Sequence, residues 1–215
     1  MVNPLSQPFV RGQMTVASPT DAARQQLHDD VDQGLKGHME AMIGTCPVYR
    51  SWKRAMPGRT PAAIAKYQKQ HGRHSDVAVD AEIASANFVL PLGQVLYHGG
   101  HFFGSAAANG SSVALAKPLS ASLLPCVARM VTIHSAKAYK AGVLELMVMT
   151  IRSASVRAFV MNGRGNLGHE HEVLLGSGAT LILRSVTPVQ TGFRATAVDQ
   201  PAKLIPTRYL EVDVV

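Results

Sequence analysis

A chain of 215 residues is long enough for one domain with a substantial core, and 47% of it is hydrophobic. Lys and Arg number 21 against 14 Asp and Glu, a formal charge of +7 that suits an anionic ligand, an acidic protein surface or nucleic acid. The absence of a dense Lys/Arg block and an aromatic content of 6% argue against a dedicated nucleic-acid binder. Two cysteines, Cys46 and Cys126, make no disulfide framework and no Cys-x-x-Cys metal knuckle, and both are expected reduced and buried.

The first twenty residues, rich in Pro, Ser and Gln, read as a flexible leader. They contain no charged stretch followed by an apolar run, so no classical signal peptide is visible. Thr20-Asp21 caps a helix predicted over residues 21–43, weakened at Gly34 and Gly37. Residues 49–59 read as a basic connector that carries the single tryptophan, Trp52. Thr60-Pro61 opens a second helix reaching about Gln70, and residues 80–88 form a third.

From Gly93 the texture changes to short apolar segments separated by Gly, Ser, Asn and Pro. Strands are predicted over 94–98, 116–121, 143–151, 157–161, 172–175, 180–186, 192–197 and 209–214, with a loop or short helix over 122–131. Helices first and strands afterwards indicate an α+β fold with segregated elements. The predicted organisation is a leader over 1–20 and one domain over 21–215, with a helical layer over 21–92 and a β core over 93–215. The longest apolar run, Leu146 to Ile151, cannot span a bilayer.

Three segments carry candidate chemistry. Tyr97-His98-Gly99-Gly100 ends a strand in glycines that allow close backbone approach to a ligand. Ser120-Ala121-Ser122 puts two hydroxyls on one strand face, where a hydroxyl can orient a carboxylate. Glu170-His171-Glu172 follows a glycine-punctuated loop; in a strand, Glu170 and Glu172 would project side by side while His169 and His171 point away. Two adjacent carboxylates push their pKa values apart, so one can stabilise a cationic ribosyl centre while the other handles a proton. Each segment alone also fits a plainer role: a strand-ending turn, a polar edge strand, and a charged edge that discourages sheet pairing. Arg129, Arg152, Arg157 and Arg164 are candidate phosphate ligands, though an arginine is more often a plain surface charge. The histidines lack metal-site spacing, and no metal is expected.

Taken in this order, the segments resemble the mono-ADP-ribosyltransferases of the bacterial toxin and effector superfamily, which carry an aromatic-Arg/His-Gly strand, a Ser-x-Ser strand and Glu-x-Glu. The resemblance covers roughly residues 93–215. It implies two small β-sheets packed at a steep angle with NAD+ between them as substrate and a protein side chain as acceptor. It implies that Glu172 is the catalytic glutamate, Glu170 the acceptor-side residue and Ser120 the serine that positions Glu172. Gly99 grips the carboxamide, and His98, Tyr97 and Ser122 complete the dinucleotide site; Phe102, Phe103 or Phe159 could stack on nicotinamide.

One departure matters. The subclass with Ser-x-Ser and Glu-x-Glu supplies Arg on the first strand, and this chain supplies His98. Histidine, mostly neutral at pH 7, suits a ribose hydroxyl better than a phosphate. The mixed motif set makes an effector family that ADP-ribosylates a threonine of ubiquitin a candidate relative, and ubiquitin a candidate acceptor. The implied setting is a monomer exported by a bacterium without a classical signal and delivered to host cytosol, with no nucleic-acid or membrane partner. NAD+ hydrolysis by the same site and a catalytically inactive binding module are the alternatives.

Overall fold

The computed structural model describes residues 1–28, 34–69, 73–104, 107–161 and 171–215, and no side-chain placement for Ser135. The architecture is α+β, with helices preceding a curled sheet of eight strands beside a small hairpin. The hairpin pairs β1 (Phe9–Arg11) with β2 (Met14–Val16). The stretch expected as a flexible leader is therefore structured. Val2, Leu5 and Val16 are 3%, 5% and 1% exposed. The buried Gln94 amide accepts from the Val2 N–H at 2.8 Å and donates to its carbonyl at 3.0 Å, satisfying a backbone that no periodic pattern announces.

Helix α1 (Pro19–His28) starts at a reciprocal cap. Ser18 Oγ accepts the Asp21 N–H, and Asp21 Oδ2 accepts the Ser18 N–H, both at 3.1 Å. The single helix expected over 21–43 is two. Gly34, at φ +95°, takes a left-handed conformation before α2 (Leu35–Thr45). The basic connector is also helical, as α3 (Pro47–Ala55). Pro47 opens it, and Tyr49 and Trp52, three apart, bury one face while the basic residues stay outside. Trp52 meets Phe88 edge-on at 5.8 Å.

Helix α4 (Ala62–Lys69) is held at its start by Glu82 from α5 (Asp76–Ser85). The Glu82 carboxylate accepts the Ala63 and Ile64 N–H groups at 3.0 and 2.8 Å. These donors have no partner inside the helix, and the negative charge suits that end of its dipole. The contact fixes the direction in which α4 carries its last turn.

The β core comprises β3 (Val95–His98), β4 (Ser112–Ala114), β5 (Leu119–Ser122), β6 (Leu144–Ile151), β7 (Ala158–Val160), β8 (Glu172–Leu175), β9 (Thr180–Ala197) and β10 (Gln200–Val214). Helix α6 (Pro125–Ile133) and the shorter α7 (Lys137–Ala141) lie between β5 and β6. Strand order is β4-β9-β10-β6-β3-β5-β8-β7, with β6 and β10 parallel and every other pairing antiparallel. The two expected sheets are the two halves of this order. They join through one residue pair, Tyr97 opposite Ser122, between β3 and β5. The two strands predicted over 180–197 are one, β9, and β10 begins well before Tyr209. Cys126 is buried, whereas Cys46 is only half-buried between α2 and α3.

Candidate active site

Ser120 is the hub where three distant parts of the chain meet. Its Oγ donates to Glu172 Oε1 at 2.5 Å, and its carbonyl accepts from His98 Nδ1 at 2.6 Å. Its backbone also hydrogen-bonds the Tyr67 hydroxyl. The register explains the first contact: β5 and β8 pair antiparallel with Ser122 opposite Glu172, so Ser120 shares that face one step along. Glu172 is 6% exposed, a buried carboxylate at the first residue of its strand.

Its second oxygen is engaged from the helical layer. Gln68, on the last turn of α4, donates from Nε2 to Glu172 Oε2 at 2.9 Å. Both oxygens thus accept a hydrogen bond, which fixes the carboxyl rotamer and leaves lone pairs for a further donor. Burial, then the charges of Glu172 and Asp76, push the Tyr67 hydroxyl up to about 12, so it stays protonated. Sequence reading missed Gln68 and Tyr67. The order of motifs lies within residues 93–215, and nothing in α4 advertises that its last turn reaches across to β8.

His98 sits where β3 runs out. Burial pushes its imidazole down to about 4; the charges of Lys137 and His101 act in the same sense, and the bond to Ser120 opposes them. A neutral imidazole has one N–H, and a carbonyl can only accept. The proton is therefore on Nδ1, and Nε2 carries a lone pair that can accept from a hydroxyl. The ring folds over Gly100, where an added Cβ would lie 2.6 Å from Nε2, and meets Phe102 edge-on at 5.4 Å.

Gly99 packs against α6 so closely that a Cβ would lie 2.0 Å from both the Ala128 carbonyl oxygen and Thr132 Oγ1. The close approach at this glycine is made by a helix, whereas the sequence led us to expect a ligand there. Two expected ligands are turned inward. Tyr97 is 2% exposed and donates to the Pro19 carbonyl at 3.3 Å, its hydroxyl pushed up by burial. Ser122 is 3% exposed, and its Oγ accepts the Leu124 N–H at 3.0 Å at the start of α6.

β8 begins at Glu172, and His171 has φ +45°, outside strand geometry, with Nδ1 3.1 Å from the Tyr49 hydroxyl. Glu170 itself lies outside the described residues, as does Arg164. Of the other candidate arginines, Arg152 pairs with Asp213 at 3.0 Å, Arg129 lies over the Phe193 ring at 5.5 Å, and Arg157 is exposed. Phe103 and Phe159 are buried at 6% and 0% exposure, leaving Phe102 as the half-buried phenylalanine beside His98. Two cavities, of about 580 and 690 Å³, lie away from Glu172, one by Asp80 and Ser177 and one by Tyr139 and Val198. Among the described residues no group of three His, Cys, Asp or Glu could hold a metal ion, and no helix is long and apolar enough to cross a membrane.

Neither protein-family models nor curated protein sequences match the chain. Solved structures do. The Vis toxin of Vibrio splendidus, described as an ADP-ribosyltransferase, superposes at TM-score 0.50 and 15% identity over 92% of this chain and 91% of that one. Its complex with the M6 inhibitor gives 0.51 and 14%, over 92% and 90%.

The fold is that of the mono-ADP-ribosyltransferase toxins. The enzymatic component C2-I of the C2-toxin from Clostridium botulinum, at TM-score 0.48 and 12% identity, matches over 78% of this chain, which spans 46% of that longer protein. Within an ADP-ribosyltransferase fold, the α+β organisation and the placement of β3, β5 and β8 side by side follow the expectation drawn from the three motifs.

Proposed function

We propose that the protein is a mono-ADP-ribosyltransferase that moves ADP-ribose from NAD+ to a protein side chain and releases nicotinamide. The observation that carries this reading is the buried Glu172 carboxylate, gripped by Ser120 Oγ at 2.5 Å and Gln68 Nε2 at 2.9 Å beside the end of β3. An anion preorganised at this point accepts a hydrogen bond from the 2′-hydroxyl of the nicotinamide ribose. It also stabilises positive charge as it develops on the ribosyl ring.

In the reaction the C1′–N bond breaks and its electron pair leaves with nicotinamide, discharging the pyridinium ring. The oxocarbenium-like ribosyl centre is attacked by a lone pair of the acceptor, which gives up its proton to a base. Glu170 is the residue assigned that proton. His98 Nε2, a lone-pair acceptor, serves a ribose hydroxyl. Ser120 positions Glu172, and Gln68 does the same from the other side. Gly99 offers its backbone to the carboxamide, while Tyr97 and Ser122 support the site from beneath. The cellular setting proposed is a secreted bacterial effector acting on a host protein, with a threonine of ubiquitin as the first acceptor to test.

The test is incubation with labelled NAD+ and host lysate or purified ubiquitin, followed by mass spectrometry of the labelled protein. Label on a protein side chain, lost in Glu172→Gln, is the expected result. Nicotinamide release without any labelled protein, unaffected by Glu170→Ala, would make water the acceptor.

A further inference from the structure

The net charge of this chain sits in one place. Residues 41–75 hold seven Lys and Arg and no Asp or Glu. Elsewhere 14 Lys and Arg balance all 14 Asp and Glu, so this segment carries the whole +7. It contains α3 and α4, whose outer faces expose Arg50, Arg54, Lys66 and Lys69. Arg59, between the helices, and Arg73, after them, are exposed too. Among the described residues, none of Arg54, Arg59, Lys66, Lys69 and Arg73 makes an ion pair.

Helix stability accounts for only part of this. Lys53, Arg54, Lys66 and Lys69 lie in the last turns of their helices, where positive charge suits the dipole. The same physics favours acids in the first turns, and neither helix has one there. Helix α4 takes its negative charge from Glu82 of α5 instead. A face of one sign repels itself, so folding alone gives no reason to leave it without acids. Its position is telling. The Tyr49 hydroxyl of α3 lies 3.1 Å from His171 Nδ1, and Gln68 of α4 donates to Glu172, the next residue. Lys53 lies over the Tyr49 ring at 5.5 Å, and exposed Lys69 follows Gln68. Both basic helices therefore border the candidate catalytic carboxylate.

We propose that the basic face of α3 and α4 is the docking surface for the acceptor, and that the acceptor is a protein presenting an acidic surface beside the side chain to be modified. This rests on the transferase reading and narrows its substrate class. Opposite charges across such a contact steer the encounter and fix its register, which is what an enzyme needs to bring one side chain to Glu172. The aromatic residues decide between an acidic protein and a nucleic acid. Binders of single strands stack bases on exposed rings. In this segment Tyr49, Trp52 and Tyr67 are 4%, 5% and 8% exposed, so the face offers charge without a stacking platform.

The experiment measures fluorescence anisotropy of a labelled polyglutamate peptide and of a labelled single-stranded oligonucleotide of equal charge, titrated with the full chain. Three proteins are compared, with the Tm of each recorded: the wild type, the triple variant Arg54→Gln/Lys66→Gln/Lys69→Gln, and a control that removes the same charge elsewhere, Lys36→Gln/Lys140→Gln/Arg194→Gln. Polyglutamate should bind the wild type and the control alike, weaken roughly tenfold in the first triple variant, and be released at about 1 M salt. Labelling of lysate proteins with NAD+ should fall in that variant, while nicotinamide release without acceptor stays at the wild-type rate. No polyglutamate binding to the wild type, equal weakening in the control, tighter binding of the oligonucleotide, or undiminished protein labelling overturns the docking surface. Patch-dependent polyglutamate binding by a protein that does not cleave NAD+ upholds the surface and sinks the transferase reading alone. Glu172-dependent protein labelling indifferent to the triple substitution does the reverse.

Discussion

Glu172 and its two partners make the sharpest residue-level predictions. Glu172→Gln removes a preorganised charge from the reacting centre and should lower turnover by roughly 100-fold or more. Ser120→Ala keeps the charge and frees its rotamer, so kcat should fall by about tenfold, the effect of one hydrogen bond to a charged group. Initial rates at saturating NAD+ check both. His98 gives a pH signature. Burial holds its imidazole down to about 4, below the ordinary histidine value of 6.5. The unfolded chain therefore binds the proton more readily, and the stability contributed by the neutral ring is present above pH 6.5 and lost as pH falls towards 4. Melting curves across that window should show a steeper loss in the wild type than in His98→Gln. At Gly99 a methyl group would collide with backbone and a buried hydroxyl. Gly99→Ala should cost about 1–3 kcal/mol, seen as a lower denaturation midpoint.

At the scale of elements, α4 decides whether the helical layer is scaffold or machinery. Its last turn places Gln68 on Glu172, and its first turn is tied down by Glu82. Gln68→Ala should lower kcat by roughly tenfold with KM little changed, as expected for a group that orients the carboxylate rather than binding substrate. A fall in KM without loss of kcat would mean that Gln68 merely covers the site. The elements also show what was legible beforehand. β3, β6, β7 and β8 were readable as short, largely apolar runs, with β3 and β8 closed directly by Gly99 and Gly176. β9 was split because its middle, Thr187 to Thr191, is polar and includes Pro188, yet the ladder to β10 passes through it with shifted register. Helix α3 was hidden by its basic composition, which is the outer face of an amphipathic helix.

For the whole molecule, the meeting of Ser120 with Glu172 was legible from motif order and strand context, because β-sheet alternation fixes which side chains share a face. The contact of Gln68 with Glu172 was not, since it depends on how a helix lands on a sheet. The same holds for Val2, whose backbone is held by the Gln94 amide, and for the buried Leu5, which no local pattern announces. Removing residues 1–16 should lower Tm by several degrees, because it exposes the apolar surface those residues cover.

Release of nicotinamide from NAD+ tests the central claim most directly, compared between the wild type and a Glu172→Gln variant confirmed to fold by its thermal transition. The account predicts steady release by the wild type and at least a 100-fold drop in the variant. Equal release by the two proteins, or none by a folded wild type offered its acceptor, would contradict it.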